Sequence, residues 1–330
     1  MQGADHTLTQ ALDWRGGTIA GAAGGGQSTT LAAGGTISGG TKYLRDRNLV
    51  IAAGQTLQWT SGNYIYYQGS STITNQGAFA FSNTSSANLY PSSGGTLSFD
   101  NSGTLTKTGT SGVYFGSAAT FTNTGLVDVQ GGELQFASGA SYTQTAGTTK
   151  LNGGNIRLYG AGPLDIQGGT LSGGGTIYGN VQVGGTMAPG FSPGKITITG
   201  NWTLTNTAVT QIEIGGLTQG VDYDWIDVGG TATLAGALEL YLWNGWTPGA
   251  TDVYTIITAG SITGQFEGAA DGALITTADG LGQFVIHYNP TSVTLSLFDG
   301  SIAVPEPGTL GLLLVFGALA GCLGRFRRHS

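Results

Sequence analysis

The densest group of acidic side chains in the sequence is VDYDWIDVGG, which contains Asp222, Asp224 and Asp227. Alternation along a strand would place Asp222 and Asp224 on one face and Asp227 on the other. Carboxylates on a β-sheet surface can bind Ca²⁺ or act as the acid and base of glycoside hydrolysis. The competing interpretation is structural, because no Lys or Arg lies between Lys195 and Arg325 to stabilise charge there. We therefore expect no enzymatic activity and no cofactor.

The other residues that could do chemistry are few and scattered. The histidines are His6, His287 and His329, and the alternating run around His287 indicates a partly exposed strand position. Neither a Ser-His-Asp set nor a metal cluster can be assembled from them. The only cysteine, Cys322, lies in an apolar segment, so no disulfide is expected. A net charge of −7 makes nucleic acid an unsuitable partner.

Three tyrosines in NYIYY, namely Tyr64, Tyr66 and Tyr67, are the residues best suited to contact a ligand. A phenol ring can stack on a sugar, and its hydroxyl can form hydrogen bonds. Packing of the same rings between neighbouring coils is an equally good interpretation. We take the three tyrosines as candidate glycan contacts, together with outward Ser, Thr and Asn side chains.

Two loose repeats indicate the elements that position these residues. One is a Gly-Gly pair followed by a polar and an aliphatic residue, as in GGTI and GGTL. The other is Asn-X-Gly, which ends at Gly77, Gly103 and Gly125. With 61 glycines and only 9% charged residues, the chain differs from an average globular protein. The repeat, of about twenty residues, is typical of a protein built from stacked units.

Each unit is predicted to be a Gly-rich turn followed by a short strand with alternating apolar positions. In one unit, Leu126, Val129, Leu134 and Phe136 are expected to point inward. Such units bury an apolar core only when they stack as successive coils about 4.8 Å apart. The sequence therefore predicts an all-β protein, a parallel β-solenoid with roughly eight or nine coils between residues 14 and 185. A β-sandwich is the alternative.

The chain ends in an apolar run, Gly308 to Gly324, followed by Arg325, Arg327 and Arg328. As a helix this run would be about 26 Å long, just short of a bilayer core of about 30 Å. A buried core helix is the alternative, but the run is apolar on all sides. The arginines would hold their end in the cytoplasm and act as a membrane stop. We predict a single C-terminal transmembrane helix.

Immediately before this run stand Val304, Pro305, Glu306 and Pro307. Proline cannot lie inside a helix, so VPEP is expected to be an extended, exposed segment that an enzyme can recognise. VPEP, the apolar span and the Arg cluster, in this order, resemble the PEP-CTERM sorting signal of Gram-negative bacteria. The resemblance implies recognition by a membrane-bound exosortase, transient anchoring in the inner membrane, removal of the tail, and delivery to the cell surface or the exopolysaccharide matrix.

The N-terminal stretch MQGADHTLTQALDWRGG has no basic n-region, no apolar h-region and no small-residue cleavage site. A sorting signal has no use without export. We therefore expect the natural chain to begin upstream of Met1 with a signal peptide, and residues 1–13 to be an N-terminal remnant.

The pattern changes at MAPGFSPG, after which longer alternating runs begin. This SPG turn, followed by YDWIDVGGTATLAGALEL, resembles the C-terminal part of autotransporter passenger domains and related surface adhesins, over roughly residues 165–298. The resemblance implies a right-handed parallel β-helix and matches Asp224 to a turn position. We divide the chain into the remnant (1–13), Gly-rich solenoid repeats (14–194), a C-terminal β-rich, autotransporter-like part (195–300) and the sorting signal (301–330).

Together these features predict an exported structural or adhesive protein of the cell surface or the exopolysaccharide matrix. Its expected partners are the exosortase, the inner membrane transiently, and an exopolysaccharide or cell-surface glycan. The alternative is a polysaccharide lyase or glycosidase on the same β-helix fold.

Overall fold

The computed structural model describes residues 4–160 and 162–300, and within these residues the regular structure is β-strand without helix. The strands of the N-terminal part are β1 (His6–Leu8), β2 (Leu12–Trp14), β3 (Gly17–Ala20), β4 (Gln27–Leu31), β5 (Gly35–Ile37), β6 (Lys42–Arg45), β7 (Arg47–Ile51), β8 (Thr56–Trp59), β9 (Asn63–Gln68), β10 (Ser70–Asn75), β11 (Ala78–Phe81) and β12 (Ala87–Pro91). Those of the middle part are β13 (Thr96–Asn101), β14 (Thr104–Lys107), β15 (Val113–Phe115), β16 (Ala119–Asn123), β17 (Leu126–Val129), β18 (Glu133–Phe136), β19 (Ser141–Gln144), β20 (Thr148–Asn152), β21 (Asn155–Leu158), β22 (Leu164–Ile166), β23 (Thr170–Tyr178) and β24 (Val181–Val183). Those of the C-terminal part are β25 (Thr186–Pro189), β26 (Lys195–Ile198), β27 (Trp202–Leu204), β28 (Val209–Ile214), β29 (Trp225–Leu234), β30 (Ala237–Leu242), β31 (Tyr254–Gly264), β32 (Leu274–Thr276), β33 (Gln283–Asn289) and β34 (Ser292–Asp299).

The strands wind into a parallel β-solenoid. The strands from β1 to β29 each pair in parallel with a strand one turn further along, as β1 does with β4, β4 with β7, and β7 with β10. Three strands make one turn, so the turns stack into three faces, which we call face 1, face 2 and face 3 after β1, β2 and β3. On face 1 the parallel pairs link twelve strands, from β1 to β31. This confirms the predicted all-β solenoid and excludes the β-sandwich, whose sheets are antiparallel.

The solenoid extends beyond the predicted range of coils at both ends. It begins before residue 14, because β1 and β2 already pair with β4 and β5. Parallel pairing also continues past residue 194, through β23 with β26 and β28 with β30, as far as β31. The C-terminal end is closed by antiparallel pairs of β31 with β34, β33 with β34, and β32 with β33.

The core is made of inward side chains that stack on equivalent positions of successive turns. On face 1 the rings of Phe99 and Phe121 are 5.0 Å apart, and those of Phe121 and Tyr142 are 4.9 Å apart. All three are buried. Val129, Leu134 and Phe136 point inward as predicted, but the prediction for Leu126 was wrong: it is half-buried, and Val127 is buried in its place. Strand β17 begins with an outward residue. Turn length alone does not determine which residue of a strand points inward first.

A column of buried side-chain amides lies at the C-terminal ends of successive face 1 strands. The side-chain amide of Asn75 donates to Asn101 Oδ1 at 2.6 Å, that of Asn101 to Asn123 Oδ1 at 2.8 Å, and that of Asn123 to Gln144 Oε1 at 3.0 Å. These residues are buried, so each amide satisfies a neighbour that water cannot reach. The asparagine of each Asn-X-Gly repeat is a member of this column.

A column of glycines follows directly. A Cβ placed on Gly103 would lie 2.1 Å from the carbonyl oxygen of Gly77, and one on Gly125 would lie 2.1 Å from that of Gly103. No side chain fits at such distances. The glycine of each Asn-X-Gly is therefore required by the close approach of successive turns.

The predicted sorting tail is not part of this description. Val304, Pro305, Glu306, Pro307, Cys322, Arg325, Arg327, Arg328 and His329 lie outside the described residues. Across residues 4–160 and 162–300, no helix has the length and apolar character needed to cross a membrane.

Candidate functional site

Strand β9 separates the three tyrosines that the sequence grouped together. Side chains alternate along it, so Tyr64 and Tyr66 point outward from face 3, whereas Tyr67 points into the core and is fully buried. The hydroxyl of Tyr67 donates to the carbonyl oxygen of Ser117, and burial raises its pKa. The interpretation of Tyr67 as a glycan contact is therefore wrong, while Tyr64 and Tyr66 remain available to a ligand.

Tyr64 and Tyr66 belong to a longer row of outward aromatic rings on face 3. In the strand register Tyr43 of β6 pairs with Tyr66 of β9, and Tyr66 pairs with Tyr90 of β12. Tyr64 pairs with Asn88, which pairs with Tyr114 of β15. We call this row the tyrosine ladder; its members are Tyr43, Tyr64, Tyr66, Tyr90, Tyr114, Tyr159 and Tyr178.

The rings of the ladder contact one another from turn to turn. Ring centroids are 5.5 Å apart for Tyr43 and Tyr66, 5.3 Å for Tyr64 and Tyr66, and 6.3 Å for Tyr66 and Tyr90. They are 6.1 Å apart for Tyr90 and Tyr114. These separations lie within the range of favourable aromatic pairs, so each ring helps to fix the orientation of the next.

The ladder is nevertheless open to solvent. The exposed fraction is 40% for Tyr64, 43% for Tyr90 and 47% for Tyr159, and the other members are half-buried. Tyr114 and Tyr159 have centroids 6.2 Å apart, so the row continues past the turn that lacks a tyrosine. A ligand that passes along face 3 meets ring faces and edges over several turns.

Arg157 packs against the two tyrosines at the C-terminal end of the ladder. Its guanidinium lies 3.7 Å from the ring centroid of Tyr178 and 5.8 Å from that of Tyr159, within the range of cation–π contacts. It also donates to both carboxylate oxygens of Glu133, at 3.0 and 2.8 Å. This hydrogen bonding lowers the pKa of Glu133 and balances the arginine charge. The row therefore presents rings and hydroxyls without a net charge at this end.

The sequence contained a signal for the ladder that was missed. Tyr43, Tyr66, Tyr90 and Tyr114 follow one another at intervals of 23, 24 and 24 residues. An outward residue that recurs once per turn forms a row on one face of a solenoid. Searching for polar or aromatic residues at the interval of the Gly repeat would have identified it.

The three aspartates of VDYDWIDVGG do not form a shared site. Strand β29 begins only at Trp225, so the expectation that Asp222 and Asp224 share a strand face is wrong. Asp222 is half-buried and accepts from the backbone N–H of Thr218 at 3.0 Å. Asp227 forms an ion pair with Lys195 at 2.7 Å. Each carboxylate has a separate structural partner.

Asp224 is buried and ties two segments together. Its Oδ1 accepts from the backbone N–H of Gly194 at 2.7 Å, and its Oδ2 accepts from that of Glu213 at 2.8 Å. Burial raises the pKa of Asp224 to about 7, against the opposing effect of these two bonds. Its geometry is that of a cap on the loop before β26, as the resemblance implied.

Among the described residues, the histidines and acids do not form a metal site. His287 is partly exposed, and its Nδ1 lies 3.5 Å from Asp271 Oδ1. Within the part of the chain that the structure describes, no group of three or more His, Cys, Asp and Glu residues could hold a metal ion.

No protein-family model and no curated protein matches this chain.

Proposed function

We propose that this chain is an exported structural or adhesive protein that binds exopolysaccharide or a cell-surface glycan through its tyrosine ladder, at the surface or in the matrix of a Gram-negative bacterium. The proposal includes a right-handed winding of the solenoid and a C-terminal transmembrane helix before processing. The tyrosine ladder carries it.

The ladder suits an extended, linear polymer. From Tyr43 on β6 to Tyr178 on β23 it crosses six turn spacings, or roughly 29 Å along the solenoid axis. Its ring faces and phenol hydroxyls can pack on the apolar faces of sugar rings and bond their hydroxyl groups. Exposed aromatic patches usually mark binding surfaces, so we interpret this row as one.

Binding along the row is expected to be multivalent. Each ring contributes a small amount, and contacts with neighbouring sugars of one chain add through their high effective concentration. Retention on a polymer therefore needs no deep pocket. This property fits a matrix or adhesive protein.

The C-terminal tail supports the route of export. VPEP, the apolar run and the arginines together suit recognition by an exosortase, transient anchoring in the inner membrane and release to the exterior. The polymer-binding solenoid would then be deposited where exopolysaccharide accumulates.

Incubation of the protein with exopolysaccharide from its own producer tests the binding function. We expect co-sedimentation with the polymer without new reducing or unsaturated ends, and weaker retention when Tyr90 and Tyr114 are both replaced by Ala. New ends would instead favour the alternative, a polysaccharide lyase or glycosidase. Absence of retention, or retention unchanged in the double variant, would contradict the role of the ladder.

A further inference from the structure

A cleft of about 580 Å³ opens on face 2, away from the tyrosine ladder. Its volume lies in the range of small-molecule sites. The floor is formed by outward residues of β20, β23, β25 and β28, and one wall by the loop of residues 190–194. The cleft therefore combines a rigid sheet with a loop that rises above it.

The cleft is open because the outward side chains on two consecutive turns, those of Ser172 and Ala188, are short. Lys150 of β20 pairs with Ser172 of β23, and Ser172 pairs with Ala188 of β25. Gln211 of β28 stands next in line, because Met187 pairs with Thr210. Between Lys150 and Gln211 the floor is low over roughly 14 Å, three turn spacings. This length accommodates a ligand of about two sugar rings.

The wall of the cleft is an exposed phenylalanine on a fixed loop. The Phe191 side chain is 53% exposed, and Lys150 Nζ lies 5.8 Å from its ring centroid. The loop is held in place by Asp224, which accepts from Gly194 and Glu213 and so joins the loop to β28. Both oxygens of this carboxylate accept hydrogen bonds from backbone N–H groups. Asp224 therefore positions the wall and is not a contact for the ligand.

The remaining polar groups line the end of the cleft at β28 and β30. Glu213 is half-buried and receives only a long hydrogen bond, 3.4 Å, from the hydroxyl of Ser192. Gln211 and Tyr241 both donate to Glu239 Oε2, at 3.0 and 2.9 Å. The Glu213 carboxylate is thus the acceptor with the most free capacity, next to an ordered set of amide and phenol groups.

We propose that this cleft is a second binding site, for a short segment of a neutral glycan, with one sugar ring packed on Phe191 and its hydroxyls bonded to Glu213, Gln211 and Lys150. The chemistry favours this ligand class over charged ones. The cleft is lined by one lysine, Lys150, and two acidic residues, Glu213 and Asp224, a balance of charge that disfavours phosphates and acidic polymers. A sugar ring offers an apolar face together with groups that both donate and accept, which matches the wall and the floor. The inference does not depend on the function of the ladder or on export.

Binding of short oligosaccharides tests the proposal. The full-length chain in a mild detergent is screened against an array of neutral and acidic di- to tetrasaccharides, and hits are measured by isothermal titration calorimetry. We expect binding to neutral members of the array. Phe191→Ala and Glu213→Gln should each weaken it by about tenfold, because each removes a central contact. Leu281→Ala, which removes an exposed apolar side chain outside both the cleft and the ladder, is the matched control and should leave this affinity unchanged.

Each outcome is decisive for the cleft. Since Phe191 is exposed, its Ala variant should keep the thermal midpoint of the wild type even if Glu213→Gln unfolds. Binding confined to acidic oligosaccharides would overturn the proposed ligand class. Absence of binding to every neutral oligosaccharide, or equal affinity in the wild type and Phe191→Ala, would overturn the site. Failure of the ladder would appear separately, as loss of polymer retention with intact oligosaccharide binding.

Discussion

The side-chain amide of Asn101 donates to Asn123 Oδ1 at 2.8 Å, across two consecutive turns of the solenoid. The same Nδ2 also donates to the carbonyl oxygen of Leu126 at 3.1 Å, while Asn101 Oδ1 accepts from Asn75. One side chain therefore connects three turns and also satisfies a backbone carbonyl of the next turn. Within a nearly one-dimensional stack, such links determine how strongly adjacent turns are coupled.

Asn101→Ala should lower the free energy of unfolding by about 3 kcal/mol, because it removes the hydrogen bonds that join Asn101 to Asn75, Asn123 and the carbonyl oxygen of Leu126. Urea denaturation followed by circular dichroism measures the change. Asn88→Ala is the matched control: Asn88 is an outward residue whose amide makes only a 3.4 Å bond to Ser86. Its effect should stay within about 0.5 kcal/mol. Equal effects of the two substitutions would contradict the role of the amide column.

Gly103→Ala should destabilise the solenoid by about 3 kcal/mol, since the new Cβ would lie 2.1 Å from the carbonyl oxygen of Gly77 and the turns would have to separate. Gly162→Ala is the matched control, because a Cβ there meets no atom within 4 Å. Thermal unfolding should show a lower midpoint for the first variant and an unchanged one for the second. A wild-type midpoint for Gly103→Ala would show that the turns can adjust.

Lys107 is a buried cation on β14. Its ammonium donates to the carbonyl oxygens of Gly109 and, at 3.2 Å, Gly131, and burial lowers its pKa to about 8. The unfolded value is about 10.4. Between these two values the unfolded chain binds more protons than the folded one, so stability should increase with pH.

We expect the free energy of unfolding to rise by about 1 to 2 kcal/mol between pH 7 and pH 9.5 through Lys107. The range stops there because the buried hydroxyls of Tyr67 and Tyr142 have raised pKa values, which reverse the dependence once unfolded tyrosines ionise near pH 10. Urea titrations at each pH measure the slope, with Lys107→Met as the comparison. The slope should become smaller in that variant but not vanish, because burial also lowers the pKa of Lys42; an equal slope in both proteins would rule out Lys107 as a source of it.

The fold could be predicted from the sequence because the repeated residues lie where one turn stacks on the next. Each Asn-X-Gly marks a position where one turn touches the next, so its spacing gave the turn length. Which residues of a strand point inward was harder to predict from the sequence. Val127, and not Leu126, points inward, and Tyr67 points inward next to the outward Tyr66. A shift of one residue exchanges the two faces of a strand, and turn residues alone do not set that shift.

Contacts between distant turns could not be predicted in the same way. Lys195 and Asp227 are 32 positions apart, yet β26 and β29 bring them to 2.7 Å. The sequence interpretation treated Asp227 as remote from any cation, because it considered neighbours along the chain. The tyrosine ladder was missed for the same reason, since its members become neighbours only after the turns stack.

Tyr90→Ala should weaken binding of the protein to its exopolysaccharide by about fivefold, because one stacked ring contributes about 1 kcal/mol. Tyr90→Phe keeps the ring and should retain most of the affinity. Leu281→Ala removes an exposed apolar side chain of the C-terminal cap and should have no effect. Sedimentation with the polymer at several protein concentrations gives the dissociation constants. Equal losses for Tyr90→Ala and Leu281→Ala would mean that the ladder is not the binding surface.

The last prediction concerns the C-terminal tail. Glu306→Ala removes the only charge between Asp299 and Arg325 without adding bulk, so it should block processing and leave the full-length chain in the inner membrane. Deleting Arg325, Arg327 and Arg328 should weaken retention before processing, because each arginine resists transfer to the bilayer centre by roughly 2.5 to 3.5 kcal/mol. Mass spectrometry of the surface fraction and of inner membranes distinguishes the two effects. A mature surface protein that still ends in Ser330 would mean that the tail is a permanent anchor, and the proposed exosortase processing would be wrong.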